Sequence, residues 1–134
     1  MTSQCYPGNM AGVVIVSRDW RSRALLRAQL LEEGCLVRAY ESLRDAATVL
    51  GSRSFKPGLL VADISEDGHQ DEIDRLADTV RLMPVWVIAG HGTVDEAELR
   101  NRSFERVFFR PVDMGKLVEA IKQRLAPQPE VASG

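Results

Sequence analysis

Carboxylates and guanidinium groups fall at the ends of apolar runs in this chain, where alternating strand–helix proteins usually place their sites. GVVIVSRDW (12–20) takes four branched aliphatics, Val13 to Val16, straight into Ser17, Arg18 and Asp19. The run from Leu59 to Ala62 ends on Asp63, VWVIA (85–89) ends on Ala89 before Gly90, and Val107–Phe109 runs into Arg110 and Pro111. A carboxylate so placed can hold a hard cation or pair with a guanidinium. Ser17 adds one neutral oxygen, whereas Arg18 and Arg110 add donors and no acceptor. Asp19 sits where a helix N-cap is expected.

Other reactive side chains are poorly placed for a site of their own. His69 and His91 each sit beside glycine, without further ligands at metal-binding spacing. The acidic string EDGHQDEID lacks the alternating ligand positions of a calcium loop and suits a helix N-terminus instead. Cys5 and Cys35 are too far apart for a redox or zinc motif and are expected to be reduced thiols. Arg100, Arg102 and Arg106 flank Phe104, but no nucleic-acid motif accompanies them. No Ser-His-Asp or Cys-His set is brought together with Ser17 and Asp63.

Five apolar runs alternate with helical patterns and must position these residues. Strands are predicted at Val13–Val16, Cys35–Tyr40, Leu59–Asp63, Val85–Ala89 and Val107–Phe109. Helices are predicted at about 20–33, capped by Asp19 and stopped by Gly34, and from Ser42 as cap through Leu50. Three more follow at about 71–82, 95–101 and 113–125. In the first helix Leu25, Leu26, Leu30 and Leu31 are expected to face inward, and Trp20 and Trp86 to serve packing. Strands this short and this apolar imply a parallel sheet covered on both faces. Right-handed crossovers then give a three-layer α/β sandwich. Neither GxGxxG nor GxxxxGK[ST] is present, so no nucleotide loop is expected.

The chain has 134 residues, 45% of them hydrophobic and 27% charged, with a net charge of −2. This is the composition of one soluble domain, with no basic field advertising nucleic acid. No window approaches the ~18 consecutive apolar residues of a membrane span, and the N-terminus lacks signal-peptide layout. A cytoplasmic location is expected. The organisation expected is a tail at 1–11, a domain at 12–126, and a Pro-rich tail or linker at 127–134.

With the elements in order, the chain resembles the receiver (CheY-like) domain of two-component response regulators, a flavodoxin-like doubly wound fold. PGLLVAD is similar to the family's "PDLVLLD" strand, PVWVIAGHG to "PVIxLTGHG", and FFRPVDMGKLVEAI to "FLxKPFDxxxLxxxI". The GHG turn and the AYES segment are most similar to receivers that precede LuxR-type output domains. The resemblance spans about Gly12 to Leu125 and places Asp63 at the phosphoacceptor position. The acidic pair that helps hold Mg²⁺ in the family falls on Ser17 and Arg18. The hydroxyl residue falls on Ala89, the conserved lysine on Arg110, and the aromatic switch residue on Val107.

These replacements imply a degenerate receiver. Mg²⁺ wants oxygen ligands, so Asp63 alone is expected to bind it weakly or not at all. Asp63 is expected in a fixed ion pair with Arg18 or Arg110, although Arg18 pointing into solvent stays open. The implied function is a phosphorylation-independent protein–protein interaction module without catalysis of its own. Its partners would be a histidine kinase, an output domain or another signalling protein, with a homodimer through the fourth helix, fifth strand and last helix as a further possibility. The alternative is a receiver phosphorylated on Asp63 by a histidine kinase and controlling a transcriptional output. An unrelated small-ligand role at the strand ends also stays open.

Overall fold

Successive side chains of a strand point to opposite faces, so four buried aliphatics in a row need cover on both sides. Val13, Val14, Ile15 and Val16 form such a strand, β1 (Gly12–Ser17), buried along its whole length. In the computed structural model, which describes residues 11–64, 70–90 and 96–126, β1 is the second strand of a five-stranded sheet. The elements alternate as α1 (Trp20–Glu32), β2 (Val37–Tyr40), α2 (Leu43–Leu50), β3 (Pro57–Asp63), α3 (Gln70–Thr79), β4 (Val85–Ala89), α4 (Glu96–Arg100), β5 (Arg106–Phe109) and α5 (Met114–Leu125). All strand pairings are parallel, in the order β2-β1-β3-β4-β5. The three-layer doubly wound fold expected from the sequence is the one observed.

Strand alternation divides the core in two. Val13, Ile15, Val61, Trp86 and Ile88 pack beneath α1 and α5, against Leu26, Leu30, Leu117 and Ile121. Val14, Val16, Leu60, Val87 and Ala89 pack on the other face with Ala46, Ile73, Leu76 and Leu99. Gly12 is required by close approach, because a Cβ there would collide with the Phe55 ring.

The helix boundaries follow from local chemistry. The Asp19 carboxylate accepts the Arg21 N–H and so caps α1. Gly34, at φ 84°, stops it, with Gly34 N–H and Cys35 N–H donating to the Leu31 and Leu30 carbonyls. This stop uses the Cys35 N–H, which is why β2 begins at Val37 and not at the expected Cys35. Ser42 caps α2 through the Asp45 N–H, and Asp113 caps α5 through the Lys116 N–H. The third helix closes at Thr79, short of the expected Leu82. Leu82 N–H and Met83 N–H both turn back to the Thr79 carbonyl, and Pro84 disfavours helical backbone at Met83.

Two packing expectations fail. Only Leu26 and Leu30 of α1 are buried, whereas Leu25 and Leu31 are exposed, because one turn of helix presents a narrower stripe to the sheet. Trp20 is 63% exposed, with the Arg21 guanidinium over its ring. Being the first residue of α1, it precedes the part of the helix that reaches the core. Trp86 is buried as expected and donates its indole N–H to Glu105. Among the described residues no helix is long and apolar enough to cross a membrane. The expected tails, Cys5, both histidines and most of the GHGT turn lie outside the described residues.

Candidate functional site at the strand ends

The register of the sheet assembles the site. Ser17 and Asp63 are directly paired at the carboxyl ends of β1 and β3. The Ser17 hydroxyl donates to Asp63 Oδ2 at 3.2 Å and accepts the Asp19 N–H at 3.2 Å. Arg110 follows β5, two strands away from β3, so its side chain must cross the end of β4. Ala89 points into the core on the far side and Gly90 carries no side chain, which leaves that path open. Arg110 Nη1 donates to Asp63 Oδ1, and Nη2 donates to the Ile64 carbonyl at 3.0 Å. One guanidinium thus holds the carboxylate and the backbone beside it.

Arg23 lies one turn into α1 and reaches back to the strand end, where its Nη1 donates to the Ser17 carbonyl. Asp19 faces away from the site: Oδ1 accepts the Arg21 N–H and Oδ2 accepts the Ser22 hydroxyl at 2.7 Å. The Ser22 hydroxyl is the main reason that the Asp19 carboxyl lies below its usual range. Burial pushes the Asp63 carboxyl above its usual range, and the Arg110 charge and Ser17 hydroxyl only partly oppose this. The nearby Asp19 charge raises it further.

This arrangement does not fit the Mg²⁺ that the sequence resemblance implies. Both Asp63 oxygens are engaged, one by a cation and one by a hydroxyl donor. Ser17 offers no charge, and the Asp19 oxygens are used in capping α1. Among the described residues, no three His, Cys, Asp or Glu side chains cluster as metal ligands. A dication here would meet one carboxylate already neutralised by a guanidinium.

Of the residues singled out from the sequence, Ser17, Asp63 and Arg110 are brought together. Of the two partners expected for Asp63, Arg110 takes the pairing and Arg18 does not. Arg18 is exposed and lines a separate hollow with Ser42, Leu43, Arg44, Asp71, Glu72 and Arg75. Ala89 is fully buried, and Val107 packs on the same apolar cluster, so both positions belong to the core. The arginines around Phe104 are engaged as well. Arg102 pairs with Asp74 and Glu98, Arg100 stacks on Phe109, and Arg106 stacks on Trp86 and Phe108. Arg23 and Ser22 were not singled out. Their signal lay in the spacing from Asp19, since the residues three and four past an N-cap lie over the preceding strand end.

A doubly wound parallel sheet in this strand order is the flavodoxin/CheY-like fold. No protein-family model and no curated protein matches the chain. Among solved structures, it is similar to a response regulator receiver domain protein (CheY-like) from Methanospirillum hungatei, with TM-score 0.71 and 19% identity over 87% of this chain and 94% of that one. It is also similar to the receiver domain of NtrX from Brucella abortus, with TM-score 0.69 and 22% identity over 84% and 97% of the two chains. FixJ-N gives TM-score 0.63 and 25% identity over 85% and 92%.

Proposed function

We propose that this chain is a receiver domain of two-component signal transduction, working in the cytoplasm as a phosphorylation-independent protein–protein interaction module with no catalysis of its own. The observation that carries this reading is the closed triad of Ser17, Asp63 and Arg110. A phosphoacceptor needs a carboxylate oxygen open to attack, with charge compensation for the three equatorial phosphoryl oxygens. In this site the compensating cation already rests on the carboxylate. Ala89 supplies no hydroxyl that would follow a phosphoryl oxygen, and its methyl is buried in the core.

Receiver domains interact with kinases and output domains, and such a protein is the partner proposed here. The contact face is α4–β5–α5, which also serves for a homodimer. On it Phe108 and Phe109 are partly exposed, with the guanidinium carbons of Arg106 and Arg100 at 4.7 and 5.5 Å from their ring centroids. Aromatic and arginine side chains of this kind are enriched at protein interfaces.

The test is incubation with acetyl phosphate and Mg²⁺ followed by intact mass measurement. The expected outcome is an unchanged mass. A species heavier by about 80 Da, the mass of one phosphoryl group, absent in Asp63→Asn, would establish the phosphorylated receiver instead.

A further inference from the structure

Between α1 and α5, just inside the triad, lies a hollow of about 570 Å³. Its floor is made by Ile15, Val61 and Ile88 of the sheet, and its walls by Leu26, Val112, Met114 and Leu117. Its polar groups gather at the strand-end side, where Arg23, Arg110, Asp63, Ser17 and Ser22 line it. A concavity of this size, mainly apolar and with a few convergent polar groups, has the make-up of a small-molecule site.

We propose that this hollow binds a free amphiphilic carboxylate, a small molecule with an aliphatic or aromatic body and one negative charge. The charge follows from the lining, where two guanidiniums stand against one carboxylate, while the nearby Asp19 carboxylate is held outside it by the Arg21 N–H and the Ser22 hydroxyl. A guanidinium has five N–H donors, and the Ser17 carbonyl takes one of those on Arg23. Carboxylates match the guanidinium fork. A wholly neutral ligand would cover a cation without pairing it, which costs free energy. The apolar body covers Pro111, Val112 and Met114, the lining apolar side chains that still meet water, and rests on the buried floor of Ile15, Val61 and Ile88. The hollow is a cleft between two helices, so its occupant is a single molecule and not a bilayer surface.

This inference uses the same closed Asp63–Arg110 pair as the proposed function, yet the two fail separately. Phosphoryl uptake on Asp63 removes the proposed function, whereas failure of the unphosphorylated protein to bind the probe removes this one. The probes are octanoate and 1-octanol, which share a chain and differ in charge, titrated calorimetrically and by methyl NMR. Octanoate is expected to bind with Kd below about 1 mM and 1-octanol roughly fivefold or more weakly, as befits one charge-assisted contact. Methyl shifts should concentrate on Leu26, Val61, Ile88 and Leu117. Arg23→Gln should weaken octanoate roughly fivefold and leave 1-octanol unchanged. Absence of octanoate binding, equal affinity for the two probes, or shifts centred elsewhere would each overturn the proposal. If Arg23→Gln does not fold, the wild-type comparison and shift map decide alone.

Discussion

Replacing Arg110 with methionine removes the guanidinium while keeping a long apolar stem, which isolates the ion pair from the packing. At ~4 Å between charge centres and an effective dielectric constant of ~20, the gross attraction is about 4 kcal/mol. Desolvation of both partners offsets much of this. Exposed pairs contribute about 0.2–1 kcal/mol, and breaking a fully buried one costs about 3–5 kcal/mol. With side-chain exposures of 18% for Asp63 and 30% for Arg110, the pair lies between these limits. We expect Arg110→Met to lose about 1–2 kcal/mol, a Tm drop of roughly 3–8 °C for a domain of this size. Arg110→Lys should lose about half as much, because an ammonium keeps the charge but lacks the fork that reaches Asp63 and the Ile64 carbonyl together. The sign with pH is fixed by which form makes the pair. Only ionised Asp63 attracts Arg110, so the gap between wild type and Arg110→Met should close as pH falls through the carboxyl's folded pKa. In the variant that pKa should lie higher still, since the Arg110 charge is the largest influence pulling it down. Urea unfolding at several pH values and a ¹³C carboxyl titration of Asp63 measure both. A loss below ~0.5 kcal/mol at neutral pH, or an Asp63 titration unmoved by the substitution, would refute the closed-pair argument.

Wild-type Tm should not respond to 10 mM Mg²⁺ at a concentration chosen to be ~10 Kd of an ordinary weak carboxylate site, whereas Ser17→Asp combined with Arg110→Met, which sets a second acid beside Asp63 and removes its guanidinium, should gain up to about 1.4 kcal/mol there. A wild-type shift of that size would show that Asp63 and Ser17 do hold the metal. For Asp63→Asn the linkage sign runs opposite to that of most carboxylates. The folded pKa lies above the ordinary 3.8, so wild-type stability falls as pH rises through the interval between the two, and the asparagine lacks this loss. The variant's stability relative to wild type should therefore grow with pH across that interval and then level off; a relative decline in urea unfolding would contradict the burial argument. Glu105→Ala leaves the indole N–H of buried Trp86 without its acceptor at 2.8 Å and frees Arg124. The expected cost is about 1–2 kcal/mol with a shift in Trp86 emission, and a neutral outcome would mean that water replaces the carboxylate.

The fold was legible because each local signal agreed with the next. The branched run at 13–16, the apolar run ending at Asp63 and the Asp19 and Gly34 boundaries all specify the same strand–helix alternation. Helix facing was less legible. Four leucines of α1 fit an apolar stripe, but only Leu26 and Leu30 reach the sheet, because periodicity does not say how wide the covered face is. At the site, Ser17 and Asp63 could be paired from strand order, and Arg110 was one of two candidate partners for Asp63. The choice between Arg18 and Arg110 was beyond the sequence, since it depends on which way the chain turns after Ser17. Arg18 follows the last residue of β1 and turns outward as Asp19 begins the α1 cap. Arg23 was illegible for a related reason: its contact is with a backbone carbonyl, which leaves no complementary residue type to notice.

The residues at the strand ends are physically coherent when taken together. Ser17 and Arg18 at the end of β1 offer a metal no carboxylate, and without a metal the Asp63 carboxylate needs another cation. Arg110 meets that need, and its fork ties Asp63 to the Ile64 carbonyl as a point charge would not. Burial raises the Asp63 carboxyl despite this pairing, so a second negative charge on Asp63 itself is poorly accommodated. Phosphorylation would replace the single negative charge of the Asp63 carboxylate with about two while Ala89 and Val107, both packed in the apolar core, offer no polar atom to answer it. A monoanion in the neighbouring hollow is a smaller demand, because it meets Arg23 as well as Arg110 and leaves Asp63 paired. Occupancy of that hollow would bear on α1 and α5 at once through Leu26 and Leu117. Since α5 belongs to the proposed contact face, a bound carboxylate has a direct packing route from the strand ends to a protein partner.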